Sequence, residues 1–332
     1  MATKKSFKMN LIYALLIVIA VIITSGSAYA YHLYSTAEKL VEDNHESTGR
    51  ENETSQLRTE KVNPIEDNVS ILFIGIDERD PSEQSRSDAL ILATFNKAEK
   101  SIKLLSIPRD SYMYIPAVER YTKVNHAHAY GGPLASIETI EEFFQIPIDY
   151  YVRLNFDAFV DVVDALDGIY YDVPFQISEM DSNDQADAIQ LEEGYQQING
   201  EEALALARTR KYDSDVQRGI RQQEIVTAIA SKATQLSSVL KLEDVLVAIG
   251  DNMRTNFTFQ EITSFSSYMI NSSINIEKIN LEGAGGYLDN GGWYYQVAEQ
   301  SQQEITDQLR KHLGLPAVYS TNELTEDNPI HP

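Results

Sequence analysis

Strand-length apolar runs alternate with helical patterns through the middle of the chain, and this constrains the fold more than any other feature. Ser70–Ile76, Ala89–Phe95 and Ile102–Ile107 are apolar runs with the length of a buried strand. The short polar segment 96–100 separates the second run from the third, which predicts a β-hairpin. Because strands and helices that alternate pack as layers, and a hairpin adds antiparallel strands, we predict an α/β fold with a mixed central β-sheet.

The segments that follow these runs show helical spacing. Leu134, Ile137 and Ile140 fall on one face of a helix that has Pro133 in its first turn. We predict helices over 133–145, 156–166, 199–207 and 215–235, and further strands at 148–154, 169–173 and 276–281. Helices should therefore cover both faces of the sheet. The glycine-rich segment 283–286 lacks the lysine and helix start of a phosphate-binding loop, so we predict a plain loop there.

An apolar segment near the N-terminus predicts that the rest of the chain is exported. Residues 9–31 carry no charge and follow Lys4, Lys5 and Lys8. They can form one transmembrane helix across about 30 Å of hydrocarbon, with residues 1–8 in the cytoplasm. The alternative is a signal peptide cleaved after the small-x-small sequence Ala28-Tyr29-Ala30. Both interpretations place the domain outside the cytoplasm, and the first predicts a single-pass membrane protein.

Two polar segments flank the predicted domain. Residues 32–68 are charge-rich and poor in aromatic side chains, which predicts a juxtamembrane stalk, helical at its start and flexible later. Residues 69–315 form the predicted extracytoplasmic domain, with its strongest motifs within 70–235. Residues 316–332 are polar and contain proline, which is typical of a disordered tail.

The charge of the chain excludes one class of partner. Lysine and arginine number 27 against 50 aspartate and glutamate residues, a formal net charge of -23. Nucleic-acid binding needs a positive face, so neither non-specific binding nor a DNA-binding regulator is expected. The absence of cysteine from the sequence excludes disulfides and thiolate metal sites. His126 and His128 stand two residues apart and cannot share a helical face, so we expect no zinc site.

Two carboxylates lie at the ends of predicted strands. Asp77 ends a Gly-Ile-Asp sequence after the first strand, and an Arg-Ser-Asp sequence with Arg86 and Asp88 opens the second. Ligands bind at strand ends in α/β sheets, and two carboxylates there can hold a magnesium ion that keeps positions for phosphate oxygens. The alternative is that Asp77 caps a turn while Arg86 pairs with Asp88 on the surface.

Positive side chains follow the third predicted strand. Arg109 comes after Pro108 at the strand end, where its guanidinium can fork onto phosphate oxygens. The alternative is a structural ion pair with Asp88 or Asp110. Lys123 is a further candidate phosphate contact, a point charge without the planar fork of arginine.

The densest positive segment, 207–223, carries four arginines and one lysine. If Arg208 to Arg210 is extended, both side chains point the same way, because a strand repeats every two residues. On the following helix Arg218, Arg221 and Gln222 fall on one face at i, i+3 and i+4. The two groups can converge on one dianionic ligand; the alternative is a solvated basic face.

Taken in order, these motifs resemble the LytR-CpsA-Psr family. The resemblance rests on Gly-x-Asp, Arg-Ser-Asp, Ser-Ile-Pro-Arg-Asp, Lys-Val-Asn-His-Ala-x-Ala-Tyr-Gly-Gly and Ala-Arg-x-Arg-x-x-Asp-Ser-Asp-x-x-Arg-x-x-Arg-Gln-Gln. It covers about residues 70–235, with the membrane anchor where the family has one. One departure is Ala89 after Arg-Ser-Asp, where a hydroxyl residue is also common.

The resemblance implies a phosphotransferase of the Gram-positive envelope. Such an enzyme moves a teichoic acid, capsule or related anionic glycopolymer from an undecaprenyl-pyrophosphate carrier in the membrane to peptidoglycan. Asp77, Asp88 and Arg109 would be catalytic, and the two aspartates would hold magnesium or manganese. The pyrophosphate-binding set would comprise Arg86, Arg109, Lys123, Arg208, Arg210, Arg218, Arg221 and Gln222. An apolar tunnel between sheet and helices would take the prenyl chain.

The chemistry of the implied reaction agrees with these residue types. Splitting a phosphoanhydride requires that both phosphates be neutralised and held in line, which arginines and one magnesium ion do. The lipid pyrophosphate supplies the activated bond, so no ATP is needed. The competing hypothesis is a non-catalytic lipid-pyrophosphate-binding regulator of the envelope, which would bind the lipid tightly without turnover.

A reporter fused to the C-terminus tests the predicted topology. With an intact anchor everything after about Tyr34 lies outside the cell, because the N-terminal lysines hold their end in the cytoplasm. A reporter that works only outside the cell should therefore be active. N-terminal sequencing separates the alternatives: a first residue at Tyr31 would reject the anchor and support cleavage.

Overall fold

The computed structural model describes residues 24, 27–29, 31–64, 66–77, 85–212, 214–234, 250–270 and 274–318. The predicted transmembrane helix, 9–31, and the predicted tail, 316–332, lie almost wholly outside these residues. Within the described part of the chain, no helix is both long enough and apolar enough to cross a membrane.

The described residues alternate strands and helices, as the sequence predicts. The strands are β1 (Val69–Ile76), β2 (Ser87–Asn96), β3 (Ser101–Ser106), β4 (Tyr112–Ile115), β5 (Arg120–Lys123), β6 (Tyr150–Asn155), β7 (Ile169–Val173), β8 (Ile177–Glu179), β9 (Ile189–Leu191), β10 (Gly194–Ile198), β11 (Met253–Thr255), β12 (Asn275–Asn280), β13 (Gly283–Tyr287) and β14 (Trp293–Val297). The helices are α1 (residues 31–43), α2 (His126–Phe144), α3 (Phe156–Ala165), α4 (Gly200–Arg208), α5 (Asp215–Thr234), α6 (Phe259–Ile270) and α7 (Glu299–His312).

A six-stranded mixed sheet forms the centre of the domain, with the strand order β11-β6-β1-β2-β3-β12. β1 and β3 each pair antiparallel with β2, whereas β6 lies parallel to β1 and β12 parallel to β3. The predicted hairpin is confirmed, since Asn96 faces Ser101 across a turn in which Lys100 has a φ of 50°. The mixed sheet is therefore confirmed as well.

Both faces of the sheet are covered by helices, and each face has its own core. Successive side chains of β1 point to opposite faces, so a strand buried on both sides reads as one continuous apolar run. Leu72 and Ile74 pack with residues of α2 and α7, whereas Ile71 packs on the other face with residues of α5 and α6. The prediction of helices on both faces is confirmed.

A smaller unit packs beside the main sheet. The predicted strand 169–173 exists as β7, but it pairs with β10 in a separate two-stranded sheet. Val163 of α3, Leu206 of α4 and Ile225 of α5 are buried against it. Asn199 caps α4 as predicted: its side chain accepts from the Glu202 amide, and the Glu202 carboxylate accepts from the Asn199 amide.

The segment 32–68, predicted as a stalk, packs against the domain. Its helical start is present as α1, with Leu33 and Val41 buried. Further on, Arg58 donates to both carboxylate oxygens of buried Asp149 at 3.0 and 2.8 Å, and Arg50 pairs with Glu141 at 3.0 Å. These two ion pairs join the later part of the segment to α2 and to the residue that precedes β6.

The prediction of a plain loop at residues 283–286 is wrong. These residues form β13, which pairs with β14. A Cβ on Gly285 would clash with the indole of Trp293, and a Cβ on Gly283 would clash with the Gln296 carbonyl. The glycines therefore make room for bulky side chains on the partner strand, a reason that the glycine-rich pattern alone does not reveal.

His312 fastens the last helix to the sheet. Its Nδ1 lies 2.8 Å from Thr94 Oγ1 and its Nε2 lies 2.8 Å from Ser101 Oγ, while its carbonyl accepts from Asn96 Nδ2 at 2.7 Å. Burial, and then repulsion from Lys103, lowers the pKa of His312 from 6.5 to about 4. At pH values above about 4, the folded protein therefore holds His312 as the neutral imidazole.

Acidification should destabilise the protein through His312. Its pKa is about 4 in the folded protein and near 6.5 when unfolded, so the unfolded chain binds the proton more readily between these values. The free energy of unfolding therefore falls as pH drops through that window, by about 2 kcal/mol between about pH 8 and about pH 5. Thermal melts should show a smaller fall in Tm for His312→Gln than for the wild type.

The matched control is His45→Gln, which removes an exposed histidine and should keep the pH dependence of the wild type. Equal pH dependence in His312→Gln and the wild type would contradict a role for His312.

Candidate functional site

Two cavities meet where β1 ends and β2 begins. One, of about 290 Å³, lies between the sheet and helices α3 to α5. The other, of about 440 Å³, opens toward the hairpin β4–β5. Asp88, Arg109 and Arg210 line both, so the two spaces adjoin at these three charged side chains.

The first cavity, called here the apolar cavity, has mainly hydrocarbon walls. They come from β1, β2, β6, α3 and α5 and include Phe73, Ile91, Leu154, Phe156, Phe159 and Ile225. Sequence reasoning did not single out these residues, because each has the spacing of an ordinary core residue. Only the tertiary structure separates side chains that fill the core from those that border a space.

The second cavity, called here the polar cavity, collects most of the predicted charged residues. The members of the predicted set that line it are Asp77, Arg86, Asp88, Arg109, Lys123 and Arg210. Asp110 and Asn125 line it too, and neither was predicted as a site residue. Lys123 pairs with Asp110 at 2.8 Å, so one positive charge of this cavity is already balanced.

A β-bulge directs Asp88 toward both cavities. Gly75 pairs with Ala89 and Ile76 with Ser87, so Asp88 has no partner on β1. A bulge of this kind bends the strand and re-aims a side chain. Gly75 and Ala89 are both small, and a Cβ on Gly75 would come within 3.1 Å of the Ala89 methyl.

Arg109 pairs with Asp88, as one of the alternatives predicted. The Nε of Arg109 is buried and has no hydrogen-bond partner among the described residues. A buried donor of this kind is costly unless an acceptor reaches it. The ion pair and a ligand role are therefore compatible, because the pair engages one nitrogen and leaves another for an anion.

The basic segment brings three of its arginines to the apolar cavity. Arg208 is the last residue of α4, not part of an extended segment, and its guanidinium lies 4.7 Å from the ring centre of Phe156. Arg210 is exposed and lies at the junction of the two cavities, while Arg218 of α5 is buried in the wall. A purely solvated basic face does not fit this burial.

Arg221 and Gln222 differ in what they do. Gln222 lines the apolar cavity and also donates to the Ala207 carbonyl at 3.0 Å. Arg221 is buried and donates to the carbonyls of Leu206 and Thr209 at 3.0 and 2.7 Å. It lines neither of these two cavities and instead donates to the carbonyls at the end of α4, so the structure does not bring Arg221 together with the other predicted site residues.

The histidines take structural positions. His128 Nδ1 lies 2.8 Å from the Ser85 carbonyl. Burial, and then repulsion from Arg86 and Lys123, lowers the pKa of His126. Among the described residues, no group of three or more histidine, aspartate or glutamate side chains is arranged to hold a metal ion.

The fold and the site together define a class: an α/β protein in which an apolar cavity and a charged polar cavity adjoin. Arginines stand where the apolar cavity ends, and the polar cavity continues beyond them. The chain belongs to the LytR_cpsA_psr family, whose model matches residues 30–311. The family predicted from the motifs is confirmed.

Named relatives agree with this assignment. The chain is 38% identical over 301 residues to the polyisoprenyl-teichoic acid–peptidoglycan teichoic acid transferase TagT of Bacillus subtilis, covering 89% of this chain and 91% of the relative. TagT bound to LI-WTA superimposes with a TM-score of 0.71 at 38% identity, covering 82% of this chain and 100% of that one. TagT with bound octaprenyl pyrophosphate gives 0.68 at 35% identity, with the same coverage. The prediction of an enzyme of the phosphotransferase class is confirmed.

Arg210→Lys tests whether the arginines bind an anion through their planar fork. Lysine keeps the charge but loses the bidentate geometry, so affinity for a short-chain prenyl pyrophosphate should fall roughly 10- to 100-fold. Calorimetric titration measures the Kd, and the Tm should hold because Arg210 is exposed.

The control is Arg153→Lys, outside both cavities, where lysine can keep the 3.8 Å pair with Glu46. A solvated basic face would instead leave the Kd of Arg210→Lys equal to that of the wild type.

Proposed function

We propose that this protein transfers an anionic glycopolymer, a teichoic acid, capsule or related polymer, from an undecaprenyl-pyrophosphate carrier to peptidoglycan. The observation that carries the proposal is that an apolar cavity and a charged polar cavity share Asp88, Arg109 and Arg210. A prenyl-pyrophosphate-linked glycan has the same sequence of parts: an apolar chain, two phosphates and a sugar.

Each part of this substrate has a matching place. The part of the prenyl chain next to the pyrophosphate lies in the apolar cavity, and the pyrophosphate lies among the arginines where that cavity ends. These are Arg109, Arg208, Arg210 and Arg218, with Gln222 beside them. The sugar next to the pyrophosphate and the incoming acceptor hydroxyl meet in the polar cavity, where Arg86 and Lys123 lie in the wall.

The reaction is a displacement at phosphorus. An acceptor hydroxyl oxygen bonds to the phosphorus that carries the glycan, the anhydride P–O bond breaks, and prenyl phosphate leaves. The hydroxyl proton passes to a carboxylate of the polar cavity. Because the arginines are held before the substrate arrives, they stabilise charge on the leaving phosphate without reorganisation.

Magnesium or manganese fits the donors present. Asp77 and Asp88 both line the polar cavity, and a hard cation binds through one or two carboxylates plus phosphate oxygens. We propose that these two aspartates hold the ion, which would neutralise the phosphates when bound. Asp88 would then serve two partners, since it also accepts a hydrogen bond from Arg109.

We also propose that the domain works outside the cell, tethered by residues 9–31. The support is the lysine-flanked apolar sequence and helix α1, which leads from that segment to the domain. A lipid-linked substrate requires the site to stay near the membrane, and a tether achieves this through a high local concentration.

Transfer by the full-length protein in detergent tests the proposal. Given a prenyl-pyrophosphoryl disaccharide and a soluble peptidoglycan oligomer, the wild type should release prenyl phosphate and form the phosphodiester in equal amounts. Asp77→Asn and Asp88→Asn should each lower turnover roughly 100-fold or more and raise the magnesium concentration needed for half-maximal rate, because each removes one anionic ligand.

Asp157→Asn, an exposed carboxylate in the first turn of α3, is the matched control and should behave as the wild type. Full activity and metal dependence in Asp88→Asn would overturn the metal assignment. Tight donor binding without any product would overturn the transfer itself and favour a lipid-pyrophosphate-binding regulator.

A further inference from the structure

The hairpin β4–β5 has one apolar face turned inward and one aromatic face turned outward. Met113 and Ile115 are fully buried, so the alternate residues of β4 point away from the core. Across the hairpin, Tyr112 pairs with Lys123 and Tyr114 with Tyr121. The outward surface formed by Tyr112, Tyr114, Tyr121 and Lys123 is called here the tyrosine face.

The rings of the tyrosine face form a continuous patch. The ring centre of Tyr121 lies 5.5 Å from that of Tyr112 and 5.3 Å from that of Tyr114. Tyr112 is supported from β14 by Tyr294, at 4.9 Å between ring centres. Tyr121 is 60% exposed although it has aromatic neighbours on one side. The patch therefore combines contacts between its rings with access from solvent.

The tyrosine face begins at the wall of the polar cavity. Lys123 and Asn125, at the end of β5, both line that cavity. The backbone amide of Asn125 donates to the Arg109 carbonyl at 3.2 Å, which fixes the end of the hairpin beside the proposed reaction centre. A molecule that extends out of the polar cavity on this side passes over the tyrosines.

The charges around the face favour an uncharged occupant. Lys123 pairs with Asp110 at 2.8 Å. The guanidinium of Arg120 lies 5.0 Å from the ring centre of Tyr130 and donates to its hydroxyl. Asp110 balances the charge of Lys123, whereas Tyr130 is neutral and leaves Arg120 with its charge, so a polyanion would meet one cation at the border of this face.

An anionic polymer has a better path on the other side. A third cavity, of about 430 Å³, is lined by Arg208, Arg210 and Lys211 together with Glu179, which pairs with Lys211 at 3.0 Å. It adjoins the other two cavities at Arg210. The donor polymer and the acceptor therefore have separate approaches of different chemistry.

We propose that the tyrosine face binds the sugar backbone of the acceptor, the glycan chain of peptidoglycan. The C–H groups on one face of a pyranose ring pack on the electron-rich face of a tyrosine ring, and the phenol hydroxyls donate to sugar oxygens. The inference rests on the proposed function, since it assigns the acceptor's position in that reaction. It makes Tyr121 a residue that positions the acceptor.

Tyr121→Ser, in the full-length protein, removes the most exposed ring of the face. The KM for the peptidoglycan oligomer should rise about 3- to 10-fold, the range for loss of one aromatic contact, while kcat and the KM for the lipid donor stay within error. Tyr121→Phe should retain most of the affinity. Tyr195→Ser is the matched control. Tyr195 is 73% exposed and stacks on Tyr170, and both lie in the separate sheet of β7 and β10, whose residues line none of the three cavities.

Direct binding separates this inference from the proposed function. Saturation-transfer NMR with a short peptidoglycan glycan freed of its peptides, and no donor present, should show binding to the wild type and 3- to 10-fold weaker binding to Tyr121→Ser. Equal binding to both, or none to the wild type, would overturn the tyrosine face as an acceptor site. A rise in the donor KM instead would assign the face to the donor and also overturn it. Glycan binding without any transfer would leave the face supported and the proposed reaction refuted.

Discussion

Repulsion between clustered cations is the constraint on which this site depends. Arg109, Arg208, Arg210 and Arg218 line one cavity of a chain whose net charge is -23. Apolar walls lower the local dielectric and strengthen that repulsion. The fold offsets part of it: Asp88 pairs with Arg109, and Arg221 is withdrawn to the end of α4. An anion bound among these arginines would lower the repulsion further, which supports the pyrophosphate position in the proposed function.

At the end of α4, side chains of the neighbouring helix α5 donate hydrogen bonds to backbone carbonyls. The last carbonyls of a helix carry partial negative charge and need donors. Arg221 and Gln222 of α5 supply them at the carbonyls of Leu206, Ala207 and Thr209. This contact joins α4 to α5 and fixes Arg208 at the helix end, where its guanidinium lies over Phe156. Arg221, which lines neither of the first two cavities, thus helps to set the position of Arg208, which lines the apolar cavity.

The three surfaces around the proposed reaction centre differ in chemistry, so the parts of the two substrates would approach from different sides. The apolar cavity suits a prenyl chain, the cavity lined by Arg208, Arg210 and Lys211 suits a polyanion, and the tyrosine face suits neutral sugar rings. Arg210 borders all three cavities, so in the proposed reaction it would lie where donor and acceptor meet. Such an arrangement orients two large substrates without requiring the protein to enclose either.

The amino-acid sequence by itself determined the family, the alternating α/β pattern and most of the charged residues that line the two adjoining cavities, because apolar periodicity and residue chemistry are local properties. Tertiary structure alone decided the rest. Arg218 and Arg221 lie on one helix three residues apart, yet only Arg218 borders the apolar cavity, because α4 ends beside Arg221. Phe73 and Phe159 border that cavity although their spacing is that of core residues. Which apolar side chain faces a space and which faces another side chain depends on how separate elements pack, and no local pattern records that.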